Sequence, residues 1–160
     1  MPAASAQPVV TEKLRPLTPT LLMQTGGRTC ALPLGNVLEI MRPLETDTAQ
    51  GAPRGVAGIA LVRGHAVPVI DLGILLGSDA AVSKSGTRFV LLQVGTRCAA
   101  LRVDKVISVR EFALDQFEAL PPLWRGAENP GVAALGALDH ELLLLLDAAR
   151  IIPLETEAGR

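Results

Sequence analysis

The feature that most constrains this 160-residue chain is that much of it reads twice. Leu22-Met23-Gln24-Thr25-Gly26-Gly27-Arg28 returns as Leu91-Leu92-Gln93-Val94-Gly95-Thr96-Arg97, and Ala31–Leu38 lies over Ala100–Ile107. Cys30 and Cys98 fall at nearly the same point of each unit. A second pairing sets Gly58–Leu76 over Ala134–Ile152 with no gap, so that Asp71 meets Asp147 and the turn Arg63-Gly64-His65 meets Asp139-His140-Glu141. The chain is two copies of one unit, each too small to bury its apolar residues alone, so the copies are expected to share an apolar seam.

Short apolar segments between turn residues make the unit β-rich rather than helical. Leu21–Thr25 and Thr29–Leu34 flank Gly26-Gly27 as one hairpin, and Ile59–Val62 and Val67–Ile70 flank Arg63-Gly64 as another. Pro68 cannot donate to a ladder and should sit on an edge or at a bulge. Asp71 and Asp147 each precede a helix-like pattern, Leu72–Leu76 and Ala148–Ile152, and are placed to cap its first turn. The expected fold is mainly β, two small barrels on a shared apolar core with short helices. Residues 1–16 read as a flexible N-terminal tail, 17–152 as a single domain and 153–160 as a C-terminal tail. Within the domain the repeated subdomains cover about 17–80 and 86–147, with a C-terminal helix at 148–152. Loops are expected at Thr46–Arg54, Ser78–Ser85 and Ala119–Pro130.

Composition removes several functional classes. Fifteen Lys and Arg balance sixteen Asp and Glu, so the basic surplus of a nucleic-acid binder is missing. No segment approaches the roughly 18 apolar residues of a membrane span, and Met1–Pro8 lacks the pattern of a signal peptide. The expected setting is cytoplasmic. Two Cys and two His do not form the close-spaced pairs of a zinc site, and no phosphate loop or nucleophile elbow is present, so neither metal nor cofactor is expected. Aromatic residues make up 2% of the chain, which leaves the core to Leu, Val, Ile and Ala.

The duplicated Asp71 and Asp147 invite comparison with an aspartyl-type hydrolase, in which two carboxyls share one proton. The residues that follow them, Leu72 and Ala148, open apolar helix patterns, so capping is the stronger reading. His65 and His140 read as solvated turn residues, and Cys30 and Cys98 as small buried hydrophobes. Arg63 stands apart, because a hairpin tip needs Gly64 but has no evident structural use for an arginine. It is either a solvated charge or a guanidinium presented to a partner. Glu39, inside the apolar run Val37–Met41, is read in the same two ways. Such a chain reads as an interaction module. A ring-building module using barrel edges is a further possibility.

Taken in order, Cys30–Leu34, Val37–Ile40, Gly58–Leu72, Val103–Val106 and Leu142–Asp147 resemble the CheW family of chemotaxis adaptors, from about Leu21 to Ile152. The stretch Val62–Leu72 is the most specific part. The resemblance implies two five-stranded SH3-like barrels around a common core and a non-enzymatic scaffold without cofactor. Its implied partners are the regulatory domain of a CheA-type histidine kinase and the cytoplasmic tip of a methyl-accepting chemoreceptor, so the chain would sit at membrane-associated arrays through those partners. The positions matching the family's interaction sites are Val37, Glu39, Gly58, Arg63 and Gly64. Two departures stand out: Leu61 replaces a usual Asn, and Ala134 a usual Gly. They point toward an accessory paralogue in an array controlling pili or second-messenger output.

Overall fold

The computed structural model describes residues 16–48, 50–78, 87–122 and 131–152. The expected tails before residue 16 and after residue 152, and most of the expected loops at 78–85 and 119–130, lie outside the described residues.

Among the described residues eleven strands form two sheets: β1 (Thr18–Thr25), β2 (Arg28–Pro33), β3 (Val37–Met41), β4 (Val56–Val62), β5 (His65–Asp71), β6 (Arg88–Val94), β7 (Arg97–Val103), β8 (Lys105–Phe112), β9 (Glu118–Ala119), β10 (Val132–Leu138) and β11 (Glu141–Leu146). Two one-turn helices, α1 (Leu72–Leu75) and α2 (Ala148–Ile151), follow β5 and β11. Sheet A has the order β8-β1-β2-β11-β10-β9 and sheet B the order β3-β6-β7-β5-β4.

Both hairpins read from the sequence form, with Gly26-Gly27 and Arg63-Gly64 at their tips. The repeat, however, does not divide the molecule into one sheet per half. Sheet A takes β1 and β2 from the first half and β8, β10 and β11 from the second, while sheet B takes β6 and β7 from the second and β3, β4 and β5 from the first. Each barrel thus borrows its first hairpin from the opposite copy. The junctions are parallel ladders in the same register: Ala31 lies beside Leu145 in one, and its repeat partner Ala100 lies beside Val69 in the other.

Sheet A has six strands against the expected five because β9 pairs at Ala134 and Leu135. In sheet B the corresponding closure is a single bridge, Asp47 to Ile59, inside the segment expected to be a loop. Pro68 lies in β5, an internal strand rather than an edge. It stops one residue short of the β5–β7 ladder, which begins at Val69, so only β4 flanks it and no bond to β7 is lost.

Three apolar clusters follow from this exchange. Val62, Val69, Phe89, Leu91 and Ala100 fill the sheet B barrel, and Leu22, Ala31, Leu143 and Leu145 fill the sheet A barrel. Between the barrels lies the largest cluster, with Leu21, Met23, Leu32, Ile70, Val90, Leu92, Leu101 and Leu144. Central strands are therefore buried on both faces. That is why Leu21-Leu22-Met23, Val90-Leu91-Leu92 and Leu143–Leu146 are continuous apolar runs rather than alternating ones.

Both capping aspartates behave as expected. The Ile74 amide donates to Asp71 Oδ1 at 3.1 Å, and the Ala149 amide to Asp147 Oδ1 at 3.0 Å. Their environments differ, because Asp71 is fully buried and pairs with Arg102 at 3.1 Å, while Asp147 is partly exposed and pairs with Arg150 at 3.3 Å. Each carboxylate belongs to its own helix and its own arginine, so the shared-proton dyad of an aspartyl hydrolase does not form.

Candidate functional site

The expected site residues gather around the open end of the sheet B barrel, at the tip of the β4–β5 hairpin. Arg63 and Gly64 occupy the two central turn positions with φ of 50° and 82°. Positive φ at both positions is what a tight two-residue hairpin needs to match strand twist, and glycine supplies the second at no steric cost. The turn places the Arg63 side chain over β3, where it meets Glu39. Arg63 Nη2 donates to Glu39 Oε2 at 2.7 Å, and Nη1 lies 2.6 Å from Oε1, a bidentate fork-to-fork pair.

That clamp joins the two outermost strands of sheet B, β3 and, through the turn that ends it, β4, and so marks where the sheet curls closed. Hydrogen bonding to Arg63 holds the Glu39 carboxyl below the ordinary glutamate range, and the same bond raises the Arg63 guanidinium. The pair is thus ionised throughout the physiological range. A structural use for Arg63 exists after all, although the side chain remains 66% exposed and open to a partner.

Gly58 is placed by packing. A Cβ there would collide with the Asp47 carbonyl oxygen, the group that accepts the Ile59 amide at 2.8 Å and closes the barrel. Val37 is half-buried against the central core, opposite Leu92. Between Val37 and Glu39 the register slips, leaving Leu38 as a bulge residue, 53% exposed. The bulge lets Val37 pack on the central seam while Met41 packs into the barrel interior.

Glu39, Arg63 and Gly64 are therefore one assembly, whereas Gly58 and Val37 support it from within the strands. The sequence reading passed over the groove beside them. About 510 Å³ in volume, it is lined among others by Leu38, Arg63, His65, Pro68, Arg97 and Cys98. Arg97 donates to the Ile152 carbonyl at 3.2 Å and ties the groove's edge to the end of α2. Alternation along β3 could have flagged Leu38 and Ile40 as outward, but not that the β4–β5 tip would arrive beside Leu38. Outside the groove, Ile59 and Leu61 are also exposed on β4.

Cys30 is fully buried, and burial pushes its thiol up to about 12, so no thiolate is available there at neutral pH. Among the described residues no group of three or more His, Cys, Asp and Glu could hold a metal ion, and no helix is long and apolar enough to cross a membrane. What the site offers is a fixed ion pair and an apolar groove at a barrel mouth, the equipment of a protein-binding surface.

A double barrel with such a mouth defines a class, and comparison with known proteins supplies the family. Residues 19–155 match the CheW-like domain, and the chain belongs to that family. It is 33% identical to Protein PilI of Pseudomonas aeruginosa over 99 residues, covering 61% of this chain and 56% of PilI, so the match spans just over half of that relative. It is 24% identical to the chemotaxis protein CheW of Klebsiella aerogenes over 138 residues, 86% of this chain and 83% of that one. Similarity extends to the chemotaxis protein CheA of Cereibacter sphaeroides, 30% identical over 149 residues, 87% of this chain but 20% of CheA. The crystal structure of the scaffolding protein TtCheW from Thermoanaerobacter tengcongensis has the same fold, with a TM-score of 0.71 at 21% identity over 82% of this chain and 90% of that one.

Proposed function

We propose that this chain is a non-enzymatic adaptor that holds the regulatory domain of a CheA-type histidine kinase and the cytoplasmic tip of a methyl-accepting chemoreceptor at once, in a cytoplasmic array beneath the membrane. The observation that carries this reading is the mouth of the sheet B barrel. There the Arg63–Glu39 clamp fixes a planar cation beside the exposed side chain of Leu38 in an apolar groove, a polar determinant next to apolar contact area. Val37, Glu39, Gly58, Arg63 and Gly64 then divide the work: Glu39 and Arg63 meet the partner, Gly64 turns the hairpin, and Gly58 and Val37 hold the strands that present them. The similarity to one-fifth of a CheA supports a kinase partner built from a like module. Signalling in such an adaptor is a coupling free energy between two binding sites on rigid barrels.

Calorimetry with the regulatory domain of the CheA-type kinase from the same cell tests the proposal. Saturable binding is expected, and Arg63→Glu, which sets two carboxylates against each other, should weaken it about tenfold while the melting temperature shifts only as an exposed-site change does. Absence of binding to every CheA-type kinase of the cell overturns the proposal. The 33% identity to PilI favours a second reading, an accessory adaptor for an array controlling pili or second-messenger output. Leu61 and Ala134 are consistent with it, and the kinase that binds the chain distinguishes the two.

A further inference from the structure

The groove at the sheet B mouth is lined by charges of one sign. It holds two guanidiniums, Arg63 and Arg97, and no carboxylate, since Glu39 meets Arg63 from outside the lining. Arg97 donates to a neutral acceptor, the Ile152 carbonyl, and among the described residues no carboxylate pairs with it, so its charge is uncompensated. Most of the remaining lining is apolar, including Leu38, Val67, Pro68 and Leu91. The grooves of the sheet A barrel differ: Asp139 and Glu141 line them together with Arg28 and Arg110, so neither sign prevails.

The chain leaves α2 at this groove, because Ile152 is one of the lining residues. Ile152 has already turned out of the helix, at φ −71° and ψ 124°, as the proline after it favours. The sequence then continues Pro153-Leu154-Glu155-Thr156-Glu157, an apolar residue followed by two acidic ones. We propose that residues 153–157 cover the groove in the chain's own fold, with Leu154 on the apolar lining and the two glutamates toward Arg97 and Arg63. Leu154 and Glu155 are only two and three residues from a lining residue, and the charges are complementary. Covalent attachment gives the segment an effective concentration of order millimolar, so a contact that would be weak between separate molecules suffices. Arg63 can serve Glu39 and a second carboxylate together: the clamp engages one N–H on each terminal nitrogen, and each nitrogen carries another. The groove adjoins the surface assigned above to a partner. On that reading, on which this consequence rests, an incoming partner must displace the segment, which lowers its apparent affinity.

Cysteine labelling of the full chain tests the cover without any partner. Cys98 lines the groove, while Cys30 is fully buried with its thiol pushed up to about 12, so N-ethylmaleimide reports on Cys98. Leu154→Ser, and Glu155→Gln combined with Glu157→Gln, should each raise the labelling rate about fivefold at low salt. Molar salt should accelerate the unaltered chain and barely change the double glutamine variant. None of these residues belongs to a described strand or helix, so the melting temperature should stay where it is. Leu154→Ser alters no charge, so its faster labelling reads access to the thiol rather than its acidity. Equal rates in all three chains overturn the proposal, as does acceleration in only one of the two variants. Variants that label faster yet bind no kinase regulatory domain leave the cover standing and overturn the adaptor reading instead.

Discussion

His140 carries a side chain where the backbone turns left-handed, at φ 68°, and the equivalent place in the other half of the molecule is Gly64. A β-carbon in that region costs energy that glycine does not, and the site is exposed, so no packing offsets it. His140→Gly should raise stability by about 0.5–1 kcal/mol, read as a higher urea midpoint at unchanged slope. The Arg63–Glu39 pair shows where the residue scale is legible and where it stops. Both residues stand out as polar groups among apolar strands, and each is open to a structural or a partner-directed reading. Their distance cannot be read from the sequence, because it depends on the curl of a sheet whose edges are β3 and β4. The sequence also hides the bulge at Leu38, since an extra residue in one strand shows only against its partner strand.

At the scale of elements, the repeat is reproduced in detail that pattern alone cannot supply. The amide of Asp71 donates to the Gly55 carbonyl and that of Asp147 to the Gly131 carbonyl, fixing each cap to the strand before it. A β-carbon on Gly55 would press on Leu75, and one on Gly131 would press harder on Ile151, so a glycine seats each one-turn helix. The caps were legible because an aspartate before an apolar helix pattern has a specific use. Their different weights were not, because Pro33 stands where the repeat would place a partner like Arg102. Asp71→Ala removes a cap and leaves a mostly buried guanidinium without its carboxylate, and should cost about 2–3 kcal/mol. Asp147→Ala, at a half-exposed site, should cost about 0.5–1 kcal/mol. Chemical denaturation of the two variants side by side measures the difference.

At the scale of the whole molecule, two barrels on a common seam were legible from the repeat and the aliphatic composition, but the exchange of hairpins was not. Both copies contain the same strands whether each keeps or trades its first hairpin, so hydrophobic pattern cannot choose between the arrangements. The exchange has a direct test. A chain cut between residues 84 and 85 should give two halves that are each unfolded alone, because β1–β2 lacks the β11 ladder in one and β6–β7 lacks the β5 ladder in the other. Mixed together, they should recover native circular dichroism; a half that folds on its own contradicts the interlocked arrangement. The same topology sets an order of completion during synthesis. Every strand of sheet B has been made once Val103 has left the ribosome, but sheet A must wait for Leu146, although its β1–β2 hairpin precedes every strand of sheet B in the chain. Leu22 and Ala31, whose cluster is completed by Leu143 and Leu145, therefore wait longest for their partners, and apolar surface left open in that way is what exposes an incomplete chain to aggregation.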